Sequence, residues 1–330
     1  MKVLVTGGSG FIGVHLVDLL RNQKYTVLNL DISKPIDNTN IDLWRNISIL
    51  ESELLSKQIL EFGPHYIVHL SATTTQNAKS IGDFEVNIQG TKNLIAAANN
   101  LTGLKKLIFT STQYVNTPGC PLSDDLSKVV PYGFYGESKL VGEELVRNTF
   151  SSSSWTIIRP TTIWGPWHPI LSNGLWKQIS KGRYFHPRND KAVKAYGYVE
   201  NTSWQIARLV EVENSLTDQQ TFYLADENMS QSQWVSGFVN RLTGRKMREI
   251  PRLFLFFMSE AGEILRKVGI PFPLYRSRYR NLITSNPSPV EKTHALIGQV
   301  PIGFDVAVDK TCRWLEEEHF KARKGPYVDE

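Results

Sequence analysis

"VTGGSGFIG", Val5 to Gly13, stands near the start of the 330-residue chain, with Gly7, Gly8, Gly10 and Gly13 within nine residues. Glycine costs backbone entropy, so this stretch needs a sharp turn or a close approach. Before it, "KVLVT" (Lys2 to Thr6) reads as a buried strand. After it, "FIGVHLVDLLRN" (Phe11 to Asn22) has apolar residues at helical spacing. Between a strand and a helix, Gly7-x-x-Gly10-x-x-Gly13 fits a phosphate-binding turn. Gly7 makes the turn, Gly10 lets the backbone reach a pyrophosphate, and Gly13 lets the helix pack closely. Gly8 has no role in this spacing. The helix start offers free N–H groups and partial positive charge to phosphates. Asp31, at the end of the next strand, lies near the ~20-residue distance at which an acid meets a ribose. Such a carboxylate repels a 2′-phosphate, so NAD is expected rather than NADP.

The same alternation continues. Strands are expected at "TVLNL" (Thr26 to Leu30), "ISIL" (Ile47 to Leu50), "YIVHL" (Tyr66 to Leu70), "KLIFTS" (Lys106 to Ser111) and "WTIIRP" (Trp155 to Pro160). Helices are expected over Phe84 to Asn100 and Tyr135 to Phe150. Strands that are apolar throughout, separated by helices, imply a parallel sheet covered on both faces. After Pro160 proline, glycine and tryptophan become frequent. "AYGYVENTSWQIARLV" (Ala195 to Val210) and "TFYLAD" (Thr221 to Asp226) then read as a return to the sheet. The tail is mostly helical, with "SQSQWVSGFVNRLTG" and "DVAVDKTCRWLEEEHF" amphipathic.

The expected architecture is therefore α/β, a Rossmann-like doubly wound parallel sheet with a smaller, mostly helical C-terminal substrate lobe. Residues 1–165 form the NAD-binding domain, 166–194 a lobe segment, 195–226 the return to the sheet, and 227–330 the lobe. A net charge of +5, read as scattered, gives no stripe for nucleic acid. Two distant cysteines and seven histidines without ligand spacing predict neither a disulfide framework nor a metal. No leader or membrane span is expected, which points to the cytoplasm.

Tyr135 and Lys139 in "YGESK" share a helix face four residues apart. A phenol with pKa near 10 is a poor base at neutral pH, and a neighbouring ammonium favours the phenolate. The pair can move a hydroxyl proton while a hydride moves to or from nicotinamide. "TSTQYV" (Thr110 to Val115) ends the fifth strand, where open parallel sheets bind ligands.

With "HLSA" (His69 to Ala72), "NIQGTKNL" (Asn87 to Leu94), "RPTTIWGP" (Arg159 to Pro166) and "YGYVEN" (Tyr196 to Asn201), the chain resembles the extended short-chain dehydrogenase/reductase family. The likeness is to its NAD-dependent epimerase/dehydratase type. The resemblance implies Thr112 as the catalytic hydroxyl, Tyr135 as acid/base, and Lys139 as the group that holds the ribose and lowers the Tyr135 pKa. It implies NAD contacts at Gly7, Gly10, Phe11, Ile12, Gly13, Asp31, Ile32, Leu70, Ser71, Ala72, Tyr135, Lys139, Pro160, Thr162 and Ile163. Substrate contacts are expected at Thr73, Thr112, Gln113 and Lys194, while His69 and Asn87 read as structural. Dehydratases of the family carry an acid after the catalytic hydroxyl. Gln113 and Tyr114 stand there instead, which argues against elimination.

The leading expectation is a nucleotide-sugar epimerase working through a transient keto sugar, as a homodimer. The alternative is a dehydrogenase or reductase of a sugar or of a hydrophobic, 3β-hydroxysteroid-like alcohol. A non-catalytic NAD sensor is disfavoured by the intact Thr112, Tyr135 and Lys139. The apolar, basic stretch "PRLFLFFMSEAGEILRKVG" (Pro251 to Gly269) fits a membrane-surface helix, but a lobe helix or dimer face is preferred.

Overall fold

The computed structural model describes residues 1–75, 78–120, 122–123, 125–270 and 272–320. Its contacts divide the chain into two compact units. The first comprises Met1–Ile163, Gly197–Asp226 and Ser288–Pro301, and the second Trp164–Tyr196, Glu227–Pro287 and Ile302–Glu330.

The first unit is built on a seven-stranded parallel sheet. From edge to edge its strands are Gln220–Leu224, Ser154–Pro160, Lys106–Thr110, Tyr66–His69, Lys2–Thr6, Thr26–Asp31 and Trp44–Asn46. The pleat sends alternate residues to opposite faces. Leu4, Ile67, Leu107 and Ile157 fill one face with Leu55, Ile59, Leu94 and Val146. Val3, Val5, Val68, Ile108 and Ile158 fill the other with Leu16, Leu20, Ile206 and Leu209. Each such side chain contributes on the order of 1.5–3 kcal/mol by leaving water. Strand order reverses between Lys2–Thr6 and Tyr66–His69, and the crevice beyond their carboxyl ends is where such sheets hold ligands.

Three expectations need correction. The third strand is Trp44–Asn46, paired with Asn29–Asp31, and not Ile47 to Leu50. It is a short polar edge, so it lacks the apolar run that marks inner strands, whereas Ile47 and Ile49 are buried beyond its end. The helix expected over Phe84 to Asn100 is broken into a 3₁₀ turn (Ile81–Phe84), a π turn (Val86–Gly90) and an α-helix (Thr91–Ala98). Finally, Ser288–Pro301 belongs with the sheet and not with a lobe running unbroken from 227 to 330. Thr293 Oγ1 donates to Tyr223 O at 2.7 Å, His294 Nε2 lies 3.1 Å from Ala225 O, and Ile297 joins the core. Those contacts are long-range and carry no local sequence signal.

The second unit has an aromatic core. Tyr196 stacks on Trp234 (4.8 Å, 5°), and Trp164 meets Phe238 edge-on at 5.3 Å. Val193 to Tyr196 pair antiparallel with Glu227–Ser230. The helix Gln231–Thr243 starts where Ser230 Oγ accepts from Gln233 N and stops at left-handed Gly244. Arg241 ties it to the helix Phe304–Trp314 through Asp309 at 2.8 Å.

Candidate active site

The cofactor turn is fixed by contacts that leave no room for side chains. Gly7 has φ +73°, and a Cβ there would lie 2.6 Å from Ser71 N at the exit of the neighbouring strand. At Gly13 a Cβ would lie 2.3 Å from Gly7 O, so the helix packs on the turn itself. At Gly10 it would meet only Gly7 O, at 3.4 Å, which leaves the open side a phosphate needs. Gly8, unassigned from sequence, also has a reason: a Cβ would strike Asn29 Oδ1 at 2.4 Å. Asn29 Nδ2 in turn donates to Ser9 Oγ at 3.0 Å. The helix Phe11–Asn22 has no side-chain cap among the described residues and no acid in its own first turn, which suits a phosphate there.

Asp31 is held in place by backbone. Its Oδ2 accepts from Ser9 N (3.1 Å) and its Oδ1 from Ser33 N (3.0 Å). The remaining lone pairs of a half-buried carboxylate suit two ribose hydroxyls. Ile32 follows it, 68% exposed. Leu70, Ser71 and Ala72 lie half-buried at the exit of Tyr66–His69. Thr73 N donates to Asn87 Oδ1 at 2.7 Å. These residues fit NAD along the carboxyl ends of the two central strands.

The residues expected to react, Thr112, Tyr135 and Lys139, lie in the same unit. Thr112 leaves the strand Lys106–Thr110, and its Oγ1 accepts from Tyr114 N at 3.3 Å. Its hydroxyl also bonds the Tyr135 phenol. Tyr135 enters on the helix Gly133–Thr149, which approaches closely at Gly136, where a Cβ would lie 2.2 Å from Tyr114 O. Burial pushes the Tyr135 phenol up to about 12; the Thr112 hydrogen bond opposes this and Tyr114 adds to it. The resemblance implied lowering by Lys139, whereas burial is the largest influence on this phenol in the structure. Lys139 is buried, its ammonium 4.7 Å from the Phe109 ring centroid. Burial brings it down to about 8, with Glu143 opposing.

Sequence reasoning gave Asn87 and His69 structural roles, and their contacts are of that kind. Asn87 donates to Thr73 O and to Ser138 Oγ, and Ser138 donates to Tyr135 O at 2.8 Å. His69 bonds Thr6 and Thr91 through its two ring nitrogens, and burial lowers it to about 3. Pro160 ends the strand Ser154–Pro160 and Thr162 and Ile163 open the short strand Thr162–Trp164, with Thr162 Oγ1 accepting from Gln113 Nε2 at 3.4 Å. Gln113 is buried, and its Oε1 has no hydrogen-bond partner among the described residues.

Lys194 lies in the second unit. Its Nζ donates to Asn281 O (2.7 Å) and Oδ1 (2.5 Å), and burial lowers it to about 8. Sequence reasoning missed the buried Glu143–Arg159 pair. Its only trace there is "RP" at the end of one strand and Glu143, one of three Glu in the helix, since pairing across 16 residues has no local pattern.

A family model, "NAD dependent epimerase/dehydratase family", matches residues 3–199. The chain belongs to that family. It is thus an NAD-dependent enzyme of the extended short-chain dehydrogenase type, and the glycine turn, Asp31, Thr112, Tyr135 and Lys139 fall within the matched region. Over its whole length it is 25% identical to an N-acetyl-alpha-D-glucosaminyl-diphospho-ditrans,octacis-undecaprenol 4-epimerase of Escherichia coli O157:H7, covering 99% of that protein. It is 30% identical to the Bos taurus sterol-4-alpha-carboxylate 3-dehydrogenase (decarboxylating) over 61% of this chain and 57% of that one. The fold matches a Thermotoga maritima UDP-glucose 4-epimerase at TM-score 0.73 and 18% identity, covering 96% of this chain and 99% of the other. A Bacillus cereus UDP-glucuronic acid 4-epimerase, solved with UDP-glucuronic acid and NAD, matches at TM-score 0.71 and 21% identity over the same shares.

Proposed function

We propose that this family member epimerises a sugar carried on a diphosphate, a nucleotide sugar in the first instance, through a transient keto sugar. The observation that carries the reading is the composition of the centre. The first unit holds a hydroxyl (Thr112) beside a phenol (Tyr135) with a buried ammonium (Lys139) four residues on along the same helix, and no carboxylate follows Thr112. The full-length likeness to a 4-epimerase supports it.

NAD, held by the glycine turn and Asp31, would supply a reversible hydride acceptor. The chain's own residues handle the proton. The Tyr135 oxygen takes it from the sugar hydroxyl, with Thr112 hydrogen-bonding the reacting oxygen. Lys139 holds the ribose and favours the phenolate. On return the phenol gives the proton back, so the cycle closes with no net oxidation. Gln113 and Thr73 flank the sugar.

A cytoplasmic homodimer completes the reading. The test is product analysis by NMR and mass spectrometry after incubation with UDP-sugars and with a polyprenyl diphosphate sugar. Inverted sugar without accumulation of reduced nicotinamide is expected. Stoichiometric NADH instead would make the protein a dehydrogenase, the reading that the sterol dehydrogenase likeness favours.

A further inference from the structure

The helix Arg252–Lys267 packs inward through Leu255, Ser259 and Gly262. At Gly262 a Cβ would lie 1.9 Å from Leu274 O, so that side is in close contact with the following segment. The outward side is apolar. Leu253 is 67% exposed, Phe257 60%, Ile264 65% and Val268 68%, with Phe254 and Ile270 more than half exposed. Positions 253, 257, 264 and 268 recur at helical spacing and form one stripe. Soluble chains seldom leave so continuous an apolar stripe in water.

Charge identifies what covers it. Arg245 to Arg280 holds nine basic and three acidic residues, a formal charge of +6, where the whole chain carries +5. The charge read from sequence as scattered is therefore concentrated here. Exposed Arg252 opens the helix, and exposed Arg266 and Lys267 close it. Arg276, Arg278 and Arg280 follow, exposed, on the adjacent helix Arg276–Ile283. One of the three acids, Glu260, is already paired with Arg276. A second copy of the same face would bring like charges together, since a two-fold contact matches a patch with itself.

We propose that this face docks on the surface of an anionic lipid bilayer. The helix has 16 residues, and no helix among the described residues is long and apolar enough to cross a membrane. It lies in the interface, with Leu253, Phe254, Phe257, Ile264 and Val268 among the acyl chains and the arginines and Lys267 at the headgroups.

The test is sedimentation of the full chain with vesicles of phosphatidylcholine alone and of phosphatidylcholine mixed with phosphatidylglycerol. Binding is expected to the anionic vesicles and to fall as salt rises. The pair Leu253→Ser and Phe257→Ser should weaken it about tenfold or more. Arg252→Gln with Lys267→Gln should weaken it to a similar degree while leaving the apolar stripe intact. NAD binding, read by fluorescence, checks that each variant is folded. Equal binding to both vesicle types, or none, overturns the proposal. So does a stable dimer that the serine pair dissociates, because a second copy then covers the face. Vesicle binding is read without turnover, so its failure is separate from failure of the epimerase assignment.

Discussion

Arg159 and Glu143 form a fully buried, two-pronged ion pair, Nε to Oε1 at 2.8 Å and Nη2 to Oε2 at 2.9 Å. Arg159 Nη1 also donates to the Tyr223 hydroxyl at 2.9 Å, which accepts a bond from Asn116 as well. The pair ties the helix Gly133–Thr149 to the strand Ser154–Pro160, one turn after Lys139. It thereby fixes the height of Lys139 and Tyr135 above the sheet.

Removing one partner leaves the other charged and buried. Glu143→Gln should therefore cost about 3–5 kcal/mol of unfolding free energy. Denaturant titration measures it. Lys139 would also lose the carboxylate that opposes its lowered pKa.

A hydrogen bond from Thr112 opposes the burial that raises the Tyr135 phenol. Tyr135→Phe should lower turnover by roughly 10²–10⁴-fold, the usual weight of a positioned acid/base, with NAD affinity nearly unchanged. Thr112→Val should lower turnover and shift the rising limb of the pH–rate profile to higher pH, because it removes the bond that opposes the raised phenol pKa. Steady-state kinetics across pH with parallel NAD titration checks both.

Asp31 is aimed by two backbone N–H groups. Asp31→Ala should weaken NAD by about 1.5–3 kcal/mol, the worth of hydrogen bonds to a charged group. NADP should lose less or gain, since the repulsion of a 2′-phosphate goes with the carboxylate. Isothermal titration with both cofactors measures the ratio, and unchanged preference would remove Asp31 from the site.

His69 is buried between Thr6 and Thr91, with its pKa lowered to about 3 by desolvation first and by Lys139 second. The unfolded chain protonates it near 6.5, so between about 6.5 and 3 the unfolded state holds the extra proton. Stability should rise with pH through that window and be lost as pH falls. His69 alone contributes a slope of up to about 1.4 kcal/mol per pH unit. Chemical unfolding of the wild type and of His69→Gln should differ in slope below pH 6.5.

The sequence by itself determined the α/β class, the glycine turn with Asp31, and the Tyr135–Lys139 spacing. Each rests on a local rule: short runs apolar throughout alternating with helical apolar patterns, glycine where no Cβ fits, and i to i+4 neighbours on one helix face. Only tertiary structure decided the rest. It placed the edge strand at Trp44–Asn46, returned Ser288–Pro301 to the sheet, gave Gly8 its contact with Asn29, and paired Glu143 with Arg159. It also set the resting Tyr135 phenol high, because desolvation depends on everything that surrounds the side chain in space. The apolar stripe of Arg252–Lys267 was visible as composition, but which of its residues face water depends on what the helix packs against.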